Sequence, residues 1–135
     1  MTNEGPDLPL RYPTDTARKK LATRFALPFD SSMQDWEWMV ADGERFEEFI
    51  DVFRLENLND DERFSLMEVM IQCVEDMELQ SEREAAWLSM EPLLLSRPDI
   101  HRSTVEYWAC LDETESEACF RVSGNMREVW RVISA

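Results

Sequence analysis

From Phe64 to Met77, nine of fourteen positions are apolar: Phe64, Leu66, Met67, Val69, Met70, Ile71, Cys73, Val74 and Met77. At 3.6 residues per turn this stripe nearly encircles the axis, and a helix that is apolar all round has to be enclosed by other elements. Asn59 with Glu62 three positions later approximates a capping box, and Asp60, Asp61 and Glu62 load the positive end of the helix dipole with negative charge. The segment 59–78 is therefore predicted as a central helix that the rest of the chain must cover. Its methionines Met67, Met70 and Met77 fit core gap-filling better than an adaptable binding groove.

The covering elements read as helices too. Phe46, Phe49, Ile50 and Phe53 trace one buried face of a helix 44–55, with Glu44, Glu47, Glu48, Asp51 and Arg54 opposite. Thr14 or Asp15 caps a short basic helix over 15–24, and Pro28 stops its continuation, with Phe25, Leu27 and Phe29 pinning the segment to the core. Asp30, Ser31 and Ser32 are candidate caps for a helix 32–40 carrying Met33, Trp36 and Val40. Ser81 and Glu84 repeat the capping box, so a helix starts near 82; Pro92 should kink or split it and Pro98 close it. Asp99 is the expected cap of a helix holding Val105, Tyr107, Trp108 and Leu111. After the acidic loop 112–117 and a short extended piece around Cys119, Phe120 and Val122, Ser123 caps a last helix bearing Met126, Val129, Trp130 and Ile133. Three glycines and six prolines in 135 residues leave too few turns for a many-stranded β fold. The expectation is an all-α fold: a compact irregular bundle of six or seven short helices, with residues 1–13 as a flexible N-terminal arm and 14–135 as one helical domain.

Charge narrows the partners. The chain has 29 acidic and 14 Lys+Arg residues, a formal net charge of −15, beyond what solubility of a small domain requires. Residues 1–24 carry a net +2 through Arg11, Arg18, Lys19, Lys20 and Arg24, read as an exposed helix face or as the neutralising neighbour of an acidic body, so the other 111 residues carry −17. Such a surface disfavours nucleic acid and anionic membrane and favours a basic protein partner. The first 30 residues lack the apolar stretch of a secretory signal, and no run reaches the roughly 18 residues of a membrane span, so a cytoplasmic location is expected. The odd number of cysteines, Cys73, Cys110 and Cys119, suits reduced thiols.

Signatures of catalysis are missing. His101 is the only histidine, read as solvent-facing or capping, and its nine-residue spacing to Cys110 and again to Cys119 matches no zinc pattern. Gly5, Gly43 and Gly124 are isolated, so no phosphate loop forms. In the loop from Asp112, Glu117 stands where a calcium loop needs Gly and Ser123 where it needs Glu. Glu68, Glu75 and Asp76 share the central helix, but no Glu-x-x-His pair accompanies them as in a di-metal bundle. No cofactor and no catalytic residue are expected.

Candidate partner-binding residues lie in three acidic stretches. In Asp35-Trp36-Glu37-Trp38 the two indoles point about 200° apart on a helix, so one is expected at the surface, as an interface anchor. The alternative buries both rings partly under the N-terminal arm. Glu44, Glu47, Glu48 and Asp51 form the second stretch, and Asp112, Glu113 and Glu115 the third; the acidic helices 44–56 and 59–78 and the loop 112–117 are the surfaces expected to meet a basic partner. A short, Lys-poor, acidic, helical chain with Asp-Trp-Glu-Trp and Arg-Phe-Ser-Leu-Met-Glu-Val-Met and no active site resembles the small cytosolic immunity proteins of bacterial polymorphic-toxin systems. That resemblance implies a stoichiometric inhibitor, monomeric or weakly dimeric, that covers a basic toxin domain. The competing readings are a structural or adaptor subunit of a larger cytoplasmic complex, and a small enzyme with a carboxylate site.

Overall fold

The computed structural model describes residues 10–55, 57–113 and 119–135. Among them are seven α-helices and no strand: α1 (Asp15–Phe25), α2 (Trp36–Met39), α3 (Phe46–Leu55), α4 (Asp60–Asp76), α5 (Gln80–Ser96), α6 (Pro98–Ala109) and α7 (Ser123–Ile133). A 3-10 turn, Gly43–Arg45, leads into α3. None of these helices is long and apolar enough to cross a membrane. Of the expected arm 1–13, residues 1–9 lie outside the described residues, whereas Arg11 pairs with Asp61 at 2.9 Å.

α4 is the axis of the bundle. It packs against α1, α2, α3, α5 and α6, while α7 lies along α6 and also touches α5. Its capping box is present in both directions, Asn59 Oδ1 accepting the Glu62 N–H at 2.8 Å and Glu62 Oε1 accepting the Asn59 N–H at 2.9 Å. Met67, Met70, Ile71 and Cys73 are wholly buried on it, so Met67 and Met70 fill core space, whereas Met77, just past its end, is only partly buried. Around it α3 contributes Phe46, Phe49, Ile50 and Phe53, and α1 contributes Leu21 and Phe25, whose ring meets Phe49 edge-on at 4.8 Å.

Several local expectations give way to longer-range contacts. The helix expected over 32–40 is only the four residues of α2, because Asp30 accepts the N–H and hydroxyl of Ser32 in an Asx turn instead of capping a helix. Pro92 does not split α5; it lies on the exposed side, as does Leu88 four residues earlier, where water can take the carbonyl left without a donor. Ser81 caps nothing, since α5 begins one residue earlier behind Leu79. Pro98 opens α6 at its first position, where a missing N–H costs nothing, and Asp99 pairs with Arg97 rather than capping. The stretch around Phe120 is a turn, not an extended piece. It is held by Glu75 of α4, whose carboxylate accepts the Arg121 and Val122 N–H groups at 2.9 and 3.0 Å. Ser123, the expected cap, is the first residue of α7; its hydroxyl accepts the Phe120 N–H and donates to the Trp108 carbonyl.

Candidate functional site

Asp-Trp-Glu-Trp folds as one tight turn of helix, which aims its side chains in different directions. Trp36 is wholly buried and donates its indole N–H to the Pro28 carbonyl at 2.7 Å. Glu37 points inward as well. Its Oε2 accepts from Arg18 Nε at 2.9 Å and from the Ser65 hydroxyl at 2.7 Å, and its Oε1 accepts from Arg18 Nη2 at 2.6 Å. Arg18 Nη1 and Nη2 also donate to the Met33 and Gln34 carbonyls, so this guanidinium binds α1, α2 and the preceding turn together. Two expectations are corrected here. Trp36 and Glu37 offer no surface to a partner, and Arg18 is a buried ion-pair residue rather than part of an exposed basic face.

Trp38 takes a third direction, toward α4 and α6. Its indole N–H donates to Glu68 Oε1 at 3.1 Å, and Trp108 Nε1 donates to the same oxygen at 3.0 Å. The Trp38 ring stacks on Tyr107 at 5.6 Å and meets Trp108 edge-on at 6.0 Å. Burial raises the pKa of Glu68; the Trp108, Trp38 and Thr104 donors work against that rise, and the nearby Glu37 charge adds to it. Glu68 therefore keeps its proton to higher pH than an exposed glutamate. It lies on a cavity of about 220 Å³ whose other walls include Trp38, Asp35, Phe64 and Pro13.

A larger and more open groove runs between the start of α3 and the α4–α5 junction, about 660 Å³ in volume. Phe46, Met77, Ala85 and Ala86 lie along it, with Asp42, Glu44 and Glu47 from one side and Asp76, Glu78 and Glu82 from the other. No lysine or arginine lines it. All six carboxylates belong to exposed residues. Self-repulsion of this kind weakens the compact state and a basic surface relieves it. By contrast, the open groove of about 770 Å³ beside α1 mixes Lys19, Lys20 and Arg24 with Glu48 and Glu62.

The chain matches no protein-family model, no curated protein and no solved structure. Function has to be argued from the geometry. Of the residues singled out in the sequence, Glu44 and Glu47 line the acidic groove and Asp35 and Trp38 line the cavity. Glu48 faces the other way and is engaged by Arg45 at 2.8 Å, while Asp51 is exposed outside both sites. Asp112 and Glu113 are exposed beyond α6, and Glu115 lies outside the described residues. Asp76 and Glu78 fall at the end of the acidic helix 59–78 expected to meet a basic partner, whereas Asp42 and Glu82 were not visible in the sequence, because the groove is assembled by packing the start of α3 against a different helix junction. Glu68 had a visible signal: a charged residue inside a stripe of core side chains.

His101 is the third correction. It is wholly buried on α6 beside Phe53, with ring centroids 6.1 Å apart, and among the described residues neither ring nitrogen has a hydrogen-bond partner. Burial depresses its pKa to about 4; Asp99 opposes that shift, and Arg97, Arg11 and Arg63 reinforce it. The imidazole is therefore held neutral and enclosed by the core near pH 7. Because the folded pKa lies below the unfolded value near 6.5, the unfolded chain binds the extra proton, and stability present above pH 6.5 is lost as pH falls through 4. The loss from this group amounts to about 3 kcal/mol. His101→Leu should match or exceed the parent at pH 7 and lack this part of the acid sensitivity in urea titrations between pH 7 and 4. Equal pH slopes for the two proteins would show that the imidazole reaches water.

Among the described residues, Cys73, Cys110 and Cys119 form no disulfide. Cys73 is buried against the Asp42 carbonyl, and burial pushes its thiol up to about 12, which makes it unreactive. Cys119 accepts from Arg127 at 3.4 Å, and a hydrogen bond with it raises Cys110. Among the described residues, no three histidine, cysteine or carboxylate side chains are grouped so as to hold a metal ion.

Proposed function

We propose that this protein is a non-catalytic binding module of the immunity type, acting in the cytoplasm, that docks and neutralises a basic protein toxin domain. The observation that carries this reading is the acidic groove between α3 and the α4–α5 junction: six carboxylates, an apolar floor and no cation. Met77 and Ala85, which keep exposed surface over the buried Phe46 and Ala86, supply apolar area to bury, and the surrounding charge steers a basic surface onto it and rejects acidic ones. The burial of His101 and the commitment of Glu37 to Arg18 support a role without catalysis.

Association kinetics test the reading. With a partner captured from cell extract at low salt and eluted as salt rises, the on-rate should fall about tenfold between 0.01 and 0.15 M salt, as the Debye length shortens from about 30 Å to about 8 Å. Combined Glu44→Gln, Glu47→Gln and Glu82→Gln should slow association with helix content unchanged, while Asp51→Asn, outside the groove, should not. A partner whose on-rate ignores both salt and the groove substitutions would turn the choice toward a structural subunit whose acidity serves solubility.

A further inference from the structure

The cavity under α2 is electrically incomplete. Three carboxylates line it, Asp35, Glu37 and Glu68, against one guanidinium, Arg18. That guanidinium is already used: its donors go to Glu37 and to the Met33 and Gln34 carbonyls. Glu68 has no cationic partner among the described residues. Both indole donors reach its Oε1, and among the described residues no donor reaches Oε2 that would satisfy its charge as a cation would. Trp38 lines the same cavity, its ring stacked on Tyr107 and meeting Trp108 edge-on, so the wall is in place before anything enters.

We propose that this cavity receives the guanidinium head of an arginine side chain presented by a protein partner, with Glu68 and Asp35 as acceptors and the Trp38 ring as a flat wall. A planar guanidinium offers several donors to carboxylates while its face lies on an aromatic ring, which a compact ammonium does less well. The rim favours a protein over a free small cation. Tyr107 stacks on Trp38 yet stays 50% exposed, leaving aromatic surface that a protein would cover and a small ion would leave wet. The inference rests on the reading of a basic protein partner and names the chemistry of one of its contacts.

The test titrates the ¹⁵N-labelled full chain with N-acetyl-arginine amide and with its neutral isostere N-acetyl-citrulline amide, following the Trp38 indole N–H, assigned with Trp38→Phe. The arginine derivative should give a saturable shift with a Kd on the order of 1 mM, and the citrulline derivative should bind about tenfold more weakly or not at all. Glu68→Gln should remove the preference, since a glutamine carbonyl still accepts both indole bonds but carries no charge. Asp35→Asn alters an exposed side chain that makes no capping bond, and should weaken arginine binding; it reads the proposal even if Glu68→Gln does not fold. Absence of a shift, equal shifts from both probes, or a preference that survives both substitutions overturns the proposal. Saturation below about 1 µM would overturn the protein source, because such affinity marks a site for a free cation. A silent titration sinks the cavity while leaving the groove kinetics standing; salt-independent association sinks the groove reading without altering the titration.

Discussion

Ile71→Asp should leave the chain without a cooperative unfolding transition. Ile71 is wholly buried on α4, the helix against which five others pack, and no cation lies among the core residues around it. A carboxylate placed there either stays ionised without a partner or takes up a proton and leaves a buried polar group unpaired; each costs several kcal/mol, and the lost packing of the isoleucine adds to it. Against a total stability of about 5–15 kcal/mol for a domain, that is enough to unfold it or nearly so. Circular dichroism during urea titration reads the outcome. Gln72→Asp, one position along at a partly exposed site, is the comparison and should cost less than about 1 kcal/mol. An Ile71→Asp protein that stays soluble and melts sharply would show that α4 is not the core helix.

Arg18→Met should destabilise the protein by about 3–5 kcal/mol, the range found when one member of a buried ion pair is removed. The Glu37 side chain is 6% exposed, and after the substitution only the Ser65 hydroxyl donates to it. The Met33 and Gln34 carbonyls also lose their donors. Arg18→Met combined with Glu37→Leu should be less destabilised than Arg18→Met alone, because the stranded charge is gone even though the two carbonyls remain without that guanidinium. A single-mutant loss below about 1 kcal/mol would mean that water reaches Glu37 and that the pair is a surface contact.

These two expectations differ in what made them available. The first follows from the chain itself: the apolar run Phe64–Met77 and the Asn59–Glu62 capping box specify α4, and both rely on contacts within one or two turns of helix. The same holds for α3, whose phenylalanines and isoleucine fall on one face, and for the all-helical class. The second could not be read off, because Arg18 and Glu37 are 19 positions apart and become partners only when α1 and α2 pack together. In the sequence each looked like an ordinary surface charge, and Arg18 stood beside Lys19 and Lys20, which do remain exposed.

The candidate sites divide along the same line. The excess of carboxylates, and Glu44 and Glu47 on the polar face of α3, are properties of composition and helical period, so the sequence alone determined that this is an acidic helical protein. Which carboxylates converge was decided by tertiary structure. Packing placed Asp76, Glu78 and Glu82 across from Glu44 and Glu47, turned Trp36 into the core, enclosed His101, and set Glu68 beneath two indoles that come from residues 30 and 40 positions away. The physical reason is one of range: caps and amphipathic faces are settled by neighbours one turn away, whereas burial and charge pairing depend on which helix covers which face.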